Sequence, residues 1–182
     1  MRNVIYTINM SIDGYVDHTG FKAEEELFDY FTGQMQEVDL DVYGRKMYEL
    51  MFPYWSDVAQ NKSGTKWENE FAERLTATDK IVFSRSLDSV EGNTVILRTD
   101  PVGELLKLKQ APGKKISVDT VSMFAQLAHA GVIDEYHFVV HPVIVGKGTR
   151  LVEGNLAERL QLKLVDTKTF KSGCIALHYL KQ

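Results

Sequence analysis

The chain has 182 residues, 44% hydrophobic and 25% charged, a mixture typical of a single globular domain, which we expect to span residues 1–182. The net charge of −4 argues against general affinity for nucleic acid, and no run reaches the ~20 apolar residues of a membrane span. We expect a cytoplasmic protein, because no signal-peptide core is evident and the one cysteine, Cys174, excludes an internal disulfide.

The first part of the chain alternates predicted strands and helices. Residues Val4 to Met10 are β-branched and apolar, which is typical of a buried strand, and glycine-containing turns are predicted at residues 11–14 and 17–20. Three glutamates at 24–26 open a helix with apolar positions at helical spacing. A short strand at 40–43 then runs into glycine and a second helix, which the segment 52–55 is expected to end.

The later elements continue this alternation. Thr65 and Glu68 match a capping box, Asp100-Pro101 starts another helix, and Ser122 is expected to cap a third that ends at Gly131. The predicted strands are Lys80–Ser84, Thr94–Arg98, Lys115–Val118 and Glu135–His141.

The C-terminal segment reads as a β-hairpin. Leu160, Leu162 and Leu164 alternate with polar residues, a turn follows at 171–173, and the apolar run 174–180 suits a central or an interface strand. The whole pattern predicts one α/β domain, with a mostly parallel central sheet flanked by helices and closed by this antiparallel hairpin.

The turn after the strand at 40–43 is a candidate anion site. A strand that turns through Gly44 into a helix leaves free backbone N–H groups where the helix dipole favours an anion. Arg45 adds a guanidinium, whose fork suits phosphate. The same pattern also fits an ordinary strand–helix turn with a solvated arginine, and short glycine motifs often match by chance.

Four short motifs occur in an order that identifies a family. They are Ser11-x-Asp13-Gly14, Gly44-Arg45-x-x-Tyr48-Glu49, Ser84-Arg85-Ser86, and Gly131-Val132-Ile133-Asp134-Glu135 running on to His141-Pro142-Val143-Ile144-Val145-Gly146-x-Gly148. As an ordered set covering nearly the whole chain, they make the sequence resemble the dihydrofolate-reductase-like family. The resemblance is to the C-terminal reductase domain of bacterial riboflavin biosynthesis and its stand-alone relatives in particular.

The resemblance implies an NADPH-dependent reductase that passes hydride to a C=N or sugar-imine carbon of a pyrimidine- or pterin-linked substrate. The residues it implies for the cofactor phosphates are Gly44, Arg45 and Lys46 at the helix start, and Ser84, Arg85 and Ser86 near the adenosine 2′-phosphate. It also implies a homodimer built through the sheet edge or the C-terminal hairpin.

On the substrate side, the resemblance implies that Ser11, Asp13 and Gly14 lie in the loop over the nicotinamide and substrate. There the Asp13 carboxylate is expected to help protonate or orient the substrate, so Asp13 is the catalytic candidate. Tyr48 and Glu49 are implied as further substrate-binding residues.

Each of these motifs also has a structural interpretation. Asp13-Gly14 alone fits a plain turn, Ser84-Arg85 fits a solvated strand end, and Tyr48 and Glu49 fit packing and pairing on the helix. His137 and His141, on one strand, are expected to be structural, and no third ligand of suitable spacing accompanies them. We therefore predict no metal site.

The sequence departs from the family pattern at two places that would face the cofactor. Met47 replaces a threonine, which removes a hydroxyl while keeping the amide. Asp119, Thr120 and Val121 replace glycines after the strand at 115–118, placing side chains and a carboxylate where a diphosphate is expected. Three hypotheses stay open: a riboflavin-type reductase, a dihydrofolate or pterin reductase, and a non-catalytic ligand-binding member of the family.

Overall fold

A computed structural model describes residues 1–16, 21, 24–152 and 158–182. Within them, eight strands form one sheet and five helices pack on its two faces. The elements are β1 (Val4–Ser11), α1 (Glu25–Met35), β2 (Val38–Gly44), α2 (Arg45–Asn61), α3 (Lys66–Ala77), β3 (Asp79–Phe83), β4 (Thr94–Leu97), α4 (Pro101–Gln110), β5 (Lys115–Asp119), α5 (Phe124–His129), β6 (Glu135–His141), β7 (Leu162–Thr169) and β8 (Ile175–Lys181). The turn predicted at 17–20 lies outside the described residues.

The strand order across the sheet is β4-β3-β2-β5-β1-β6-β8-β7. The pairs from β4 through β6 are parallel, whereas β8 runs antiparallel to both β6 and β7. The predicted α/β fold with a mostly parallel sheet and an antiparallel C-terminal hairpin is therefore confirmed. Within this hairpin β8 is an interior strand, and β7 forms one edge of the sheet.

The helices divide into two layers. Leu105 of α4 and Leu127 of α5 belong to a buried cluster with Tyr6, Val42 and Val118 of the central strands. The other face of the sheet carries α1, α2 and α3, which contribute an aromatic-rich cluster; its buried members are Phe28, Tyr43, Tyr48, Phe52, Phe71, Leu75 and Val82. Among the described residues, no helix combines the length and the apolar character needed to cross a membrane.

Two predicted helix starts are confirmed by their capping bonds. Thr65 Oγ1 accepts from the Glu68 amide at 3.4 Å, and the Glu68 carboxylate accepts from the Thr65 amide at 2.7 Å, which completes the capping box of α3. At α4, Asp100 Oδ2 accepts from the Gly103 amide at 2.8 Å, with Pro101 at the first helical position.

The predicted end of α2 at residues 52–55 is wrong, because the helix continues through Pro53 to Asn61. An interior proline costs about 3 kcal/mol through its missing N–H and its clash with the preceding turn. The flanking residues outweigh this cost: Phe52 is 4% exposed, and Trp55 packs edge-to-face on Phe71 of α3 at 4.8 Å between ring centroids. Burying two aromatic side chains contributes about 4 kcal/mol or more.

The predicted cap of α5 is also wrong. The helix begins at Phe124, and the exposed side chain of Ser122 caps nothing. The Oγ1 of Thr120 instead accepts from the Met123 amide at 3.2 Å, and the Val121 carbonyl accepts from the Phe124 amide. The capping hydroxyl thus comes from the turn immediately after β5, two residues earlier than predicted.

Candidate active site

The predicted motifs meet at one edge of the sheet. Gly44 pairs with Phe83, the residue before Ser84, and Tyr43 pairs with Asp119 of β5. Because the carboxyl ends of parallel strands lie on the same edge, the turns after β2, β3 and β5 stand side by side. The turn after β1 joins the same edge, since Ser11 pairs with the last residue of β6.

The turns after β2 and β5 are in direct contact at Gly44 and Thr120. A β-carbon placed on Gly44 would lie 2.7 Å from Thr120 Oγ1, too close for any other residue without a shift. Thr120 is 1% exposed and is fixed by two bonds, since its hydroxyl accepts from Met123 and its carbonyl accepts from the Tyr6 hydroxyl at 2.8 Å. The threonine side chain therefore fills the space between the two turns.

Cationic side chains surround this edge. Arg45, at the start of α2, pairs with Glu49 one turn later at 3.0 Å, and both are more than 40% exposed. Lys46 and Arg85 are exposed on the same edge. Salt screens such exposed groups, but they still give the edge a positive character toward an incoming anion.

The Ser84 turn is held by its own hydroxyl and by a residue that the sequence analysis missed. Ser84 Oγ accepts from the amides of Ser86 and Leu87 at 3.2 and 2.9 Å. Arg98, just after β4, donates to the Ser84 and Leu87 carbonyls at 3.1 and 2.8 Å. The Ser84 hydroxyl oxygen thus accepts two bonds inside the turn, whereas Arg85 and Ser86 are the exposed residues of the motif.

Asp13 joins two loops. Its carboxylate accepts from the Ser11 hydroxyl at 2.7 Å and from the amides of Val145 and Gly146 at 3.1 and 2.8 Å. The Ser11 bond, supported by those from Gly146 and Val145, lowers the pKa of Asp13 to about 2. Gly14, at φ +86°, closes the turn. Asp13 thus stays ionised at neutral pH and acts as an anchor between the loops.

Tyr48 and Glu49 make structural contacts, and the substrate-binding role implied for them by the resemblance stays a prediction. Tyr48 is 5% exposed, stacks on Phe52 at 5.1 Å, and accepts from the Glu91 amide at 3.1 Å through its hydroxyl. Glu49 pairs with Arg45 on the helix surface. Neither residue contributes to the wall of the cavity beside the turns.

That cavity has a volume of about 240 Å³ and lies between the sheet and the layer formed by α1, α2 and α3. Its helical wall is aromatic and sulfur-rich, and its sheet wall carries polar groups. The helical wall includes Phe28, Phe31, Met35, Met47, Met51, Trp55 and Phe71, and the sheet wall includes Thr7, Asn9, Asp41, Ser117, Asp119 and His141. Met47 and Asp119, both singled out as departures from the family pattern, therefore line the cavity next to the turns.

Two carboxyl groups lie in the sheet wall of this cavity. Asp41 is 3% exposed, and its Oδ2 has no hydrogen-bond partner among the described residues. Burial raises the pKa of Asp41 well above its usual range; Asp119 reinforces the shift and Lys80 opposes it. Burial also raises the pKa of Asp119 to about 7, although a 3.2 Å bond from Ser117 favours its ionised form.

Asp41 was not among the site residues predicted from the sequence. Its signal was a carboxylate in the middle of a short apolar strand, two residues before Tyr43, so that both side chains face one side of the sheet. A charged residue in an interior strand must be paired, neutralised or functional, because an isolated buried charge is costly.

The expectation that His137 lacks further metal-ligand partners is wrong. Glu135, His137 and His178 bring their ligand atoms within 4.8 Å of one another, because His178 of β8 pairs directly with His137 of β6. The two imidazoles are stacked at 4.1 Å with 14° between their planes, so one ion cannot lie in both ring planes, as ligation by both rings would require. Lys115 lies 3.0 Å from Glu135 and supplies it with a positive charge.

His141 belongs to the cavity. It hydrogen-bonds Asn9 through Nε2 at 2.9 Å, contacts the Cys174 sulfur through Nδ1 at 3.3 Å, and stacks on Phe21 at 4.4 Å between ring centroids. These contacts fix the ring at the end of β6, which agrees with the structural interpretation of this histidine.

Comparison with known proteins places this geometry in context. A family model described as the RibD C-terminal domain matches residues 2–176. An uncharacterized protein, YyaP of Bacillus subtilis (strain 168), is 27% identical over 182 residues, which cover 98% of this chain and 94% of YyaP.

Solved structures show the same fold at lower identity. A putative riboflavin biosynthesis protein from Shewanella sp. PV-4 superposes with a TM-score of 0.73 at 16% identity, covering 100% of this chain and 99% of that one. A pyrimidine reductase-like protein from Corynebacterium diphtheriae gives 0.62 at 16% identity, with coverages of 100% and 92%. The RibD protein of Acinetobacter baumannii gives 0.72 at 14% identity, and the match spans 58% of that longer chain.

Proposed function

The chain belongs to the RibD C-terminal domain family, and we propose that it is an NADPH-dependent reductase of the riboflavin-biosynthesis type acting on a pyrimidine-linked small molecule. One observation carries the proposal: the turns at Gly44 and Ser84 and the cavity of about 240 Å³ meet at one sheet edge. Met47 connects them, because it lies in the first turn of α2 and also lines the cavity.

The outer part of the edge fits the adenosine end of NADPH. Arg85 and Lys46 are exposed cations there, and Arg45 keeps a guanidinium that can leave its surface pair with Glu49 for a phosphate. The 17-residue helix α2 adds the free N–H groups of its first turn. These groups would hold the cofactor phosphates.

The diphosphate position is narrower than the family pattern implies, because the Thr120 side chain fills the space beside Gly44. This contact supports a second candidate function, a non-catalytic ligand-binding member of the family. The exposed cations Arg45, Lys46 and Arg85 favour the reductase. The Thr120 side chain beside Gly44 favours the non-catalytic ligand-binding protein.

The cavity suits a flat heterocycle. Aromatic and thioether side chains offer one apolar wall for a ring, and the strand wall offers hydroxyl, amide and carboxyl groups to its edge. When bound, a nicotinamide cofactor supplies hydride to the carbon of a C=N bond, whose nitrogen then takes a proton. A pterin would suit the same wall, so a dihydrofolate or pterin reductase is the alternative substrate assignment.

In this proposal Asp13 positions the loop at 143–146 beside the cavity. Its carboxylate has a pKa of about 2 and is bonded to the Val145 and Gly146 amides, so it holds the loop at 143–146 against the end of β1. A group that remains ionised at neutral pH is a weak proton donor, and positioning is therefore the role we assign to it.

A titration with NADPH, followed by fluorescence or calorimetry, tests the proposal. We expect saturable binding below millimolar cofactor and weaker binding of NADH, which lacks the 2′-phosphate. Arg85→Ala should reduce NADPH affinity about tenfold, the size expected for a charge-assisted phosphate contact, and leave NADH unchanged. Arg74→Ala, an exposed arginine on α3, is the matched control.

Absence of binding at millimolar NADPH would reject the reductase and leave the binding protein. If NADPH binds, its oxidation in the presence of dihydrofolate, compared with a ribosylaminopyrimidine phosphate, assigns the substrate class.

We also propose a homodimer formed through the β7 edge. Leu164 and Val165 on this edge strand are each 50% exposed, and an unpaired strand edge with apolar side chains favours pairing with a second copy.

A further inference from the structure

A second cleft lies near the beginning of the parallel strands, away from the turns of the candidate active site. It has a volume of about 440 Å³, with α1 as one wall and residues of β5, β6, β7 and β8 opposite. Lys115 and Glu135, which line it, are the first residues of β5 and β6, whereas the Gly44 and Ser84 turns stand at the ends of their strands. The cleft is therefore at the opposite end of the sheet from the proposed cofactor site.

Three side chains of this cleft bring nitrogen and carboxylate atoms together on one face of the sheet. Glu135 and His137 are two residues apart on β6, and His178 of β8 pairs in register with His137. Glu135 Oε2 lies 3.9 Å from His137 Nε2 and 3.7 Å from His178 Nε2. One carboxylate oxygen thus faces both imidazole nitrogens, and the three groups come from two neighbouring strands.

Hydrogen bonds on the outer side of Glu135 and His137 orient their inner atoms. His137 Nδ1 is bonded to Gln34 at 2.7 Å and to Tyr30 at 3.0 Å, both on α1, while Nε2 of the same ring faces Glu135. Asn3 donates to the other carboxylate oxygen, Glu135 Oε1, at 2.8 Å. Ligands of protein metal sites are held in this way, through the nitrogen or oxygen that does not touch the ion.

The inner atoms of the cluster are open to a cation. His178 Nε2 is buried and has no hydrogen-bond partner among the described residues, and native proteins pair nearly all such atoms. A cation already stands beside Glu135, because Lys115 Nζ lies 3.0 Å from its Oε2. Lys115 also lies 2.7 Å from Glu37 Oε2, so its ammonium keeps a carboxylate partner when another cation takes its place at Glu135.

We propose that Glu135, His137 and His178 bind a divalent transition-metal ion of the zinc class, which replaces the Lys115 ammonium beside Glu135. Imidazole and carboxylate are ligands that Zn²⁺ uses, and three protein ligands leave a position for water. The stacked rings must turn for this. His137 is held by α1, whereas the His178 side chain is 25% exposed, so rotation of the His178 ring about its Cβ–Cγ bond ends the stacking and lets both nitrogens face one ion. The ion would then connect β6 to β8.

Calorimetric titration of the untagged protein with Zn²⁺ tests the site. We expect one Zn²⁺ per chain, bound about tenfold or more tightly than Mg²⁺, which prefers oxygen ligands. His137→Ala and His178→Ala should each weaken Zn²⁺ binding by about tenfold or more. His129→Ala, at an exposed histidine at the end of α5, is the matched control and should bind like the parent protein. No Zn²⁺ binding by the parent, or unchanged affinity in both cleft variants, would overturn the proposal.

A charge variant tests the exchange between the ammonium and the ion. Lys115→Gln removes the cation that competes for Glu135, so it should bind Zn²⁺ about tenfold or more tightly than the parent. Lys114→Gln, at the exposed neighbouring residue, removes the same charge from the chain and should leave the affinity near that of the parent. Equal affinity in the two lysine variants would refute the exchange.

Thermal unfolding gives a second measurement and shows whether each variant is folded. Zn²⁺ should raise the Tm of the parent and of His129→Ala, because an ion bound only by the folded state stabilises it, and should leave the Tm of His178→Ala unchanged. An equal rise in His178→Ala would place the ion elsewhere and overturn the assignment. Neither measurement involves NADPH, so the result is independent of the proposed reductase.

Discussion

Gly44 and Thr120 approach so closely that a single added carbon at residue 44 would lie 2.7 Å from the Thr120 hydroxyl oxygen. Gly44 is the last residue of β2 and the N-cap of α2, and Thr120 follows β5 in the turn that leads into α5. Residue 44 must therefore be glycine because the Thr120 side chain occupies the space that a β-carbon would need. The resemblance implies glycines in the partner turn of the family, and glycines there would leave this space open.

This contact predicts strong coupling between the two positions. Gly44→Ala should destabilise the protein by about 1–3 kcal/mol through overpacking, measured by urea unfolding. In a Thr120→Gly background the same change should cost much less, because the clashing hydroxyl is absent. Thr120→Ser, which keeps the hydroxyl, is the control and should leave the Gly44→Ala cost intact. An equal cost in all three backgrounds would contradict the contact.

Restoring the glycine turn should improve cofactor binding. The double variant Asp119→Gly/Thr120→Gly removes a carboxylate and opens the space beside Gly44, so NADPH should bind at least tenfold more tightly in a fluorescence titration. Two unit charges about 4 Å apart repel by roughly 4 kcal/mol near a protein surface, so the gain has room to be larger. The single variant Asp119→Gly tests the effect of the carboxylate, and Thr120→Gly tests the effect of the occupied space beside Gly44. No gain in the double variant would show that these residues do not obstruct NADPH.

The pKa of Asp119 predicts how stability changes with pH. The folded protein holds this proton up to about pH 7, whereas the unfolded chain loses it near 3.8. The contribution of Asp119 is therefore greatest below pH 4 and is lost as the pH rises through 7. Asp119→Asn should reduce this slope, to which Asp41 also contributes through its raised pKa, and should raise the free energy of unfolding at pH 8 by on the order of 3 kcal/mol. Asp88→Asn, at an exposed position away from this pair, is the control for the substitution itself, and a parent curve that is flat between pH 4 and 7 would refute the prediction.

The Asp13 anchor predicts local effects. Asp13→Ala should speed hydrogen exchange of the Val145 and Gly146 amides at least tenfold, because both lose their acceptor. The pKa of Asp13 is lowered, so the anchor is complete above about pH 4 and is lost as the pH falls through 2. Amides in β1 serve as internal controls. Unchanged exchange rates at Val145 and Gly146 would show that Asp13 does not anchor this loop.

The β7 edge predicts the quaternary state. On a sizing column at micromolar concentration, the parent protein should elute as a dimer and Val165→Lys as a monomer, because a lysine on an edge strand blocks strand pairing. Val95→Lys is the matched control: Val95 is 57% exposed on β4, the opposite edge of the sheet, and this variant should remain a dimer. A monomeric parent, or dissociation by Val95→Lys alone, would contradict the proposed interface.

Much of this fold could be predicted because its determinants are local. The Thr65–Glu68 capping box, the Asp100 cap and the C-terminal hairpin each depend on neighbours in the sequence, and the structure confirms all three. The Gly44 and Ser84 turns meet because parallel strands place their carboxyl ends on one edge, whereas the sequence linked the two turns only through the family resemblance.

The missed features depend on residues distant in the sequence. Helix α2 passes through Pro53 because aromatic side chains on α3 and α1 outweigh the local penalty. The unpaired Asp41 is informative only when the opposite wall of its cavity is known. His178 joins His137 through the register of β6 with β8, which no spacing rule along the chain reveals.

The position of β8 inside the sheet affects the order in which the protein can be completed during synthesis. Strand β6 ends at His141, and its antiparallel neighbour begins only at Ile175, more than thirty residues later. A ribosome adding ~5–20 residues per second needs on the order of seconds to make that segment. For that time β6 has an open side, and its apolar run through Val139 and Val140 can pair with another chain. The arrival of β8 closes the sheet on that side and removes the open edge of β6.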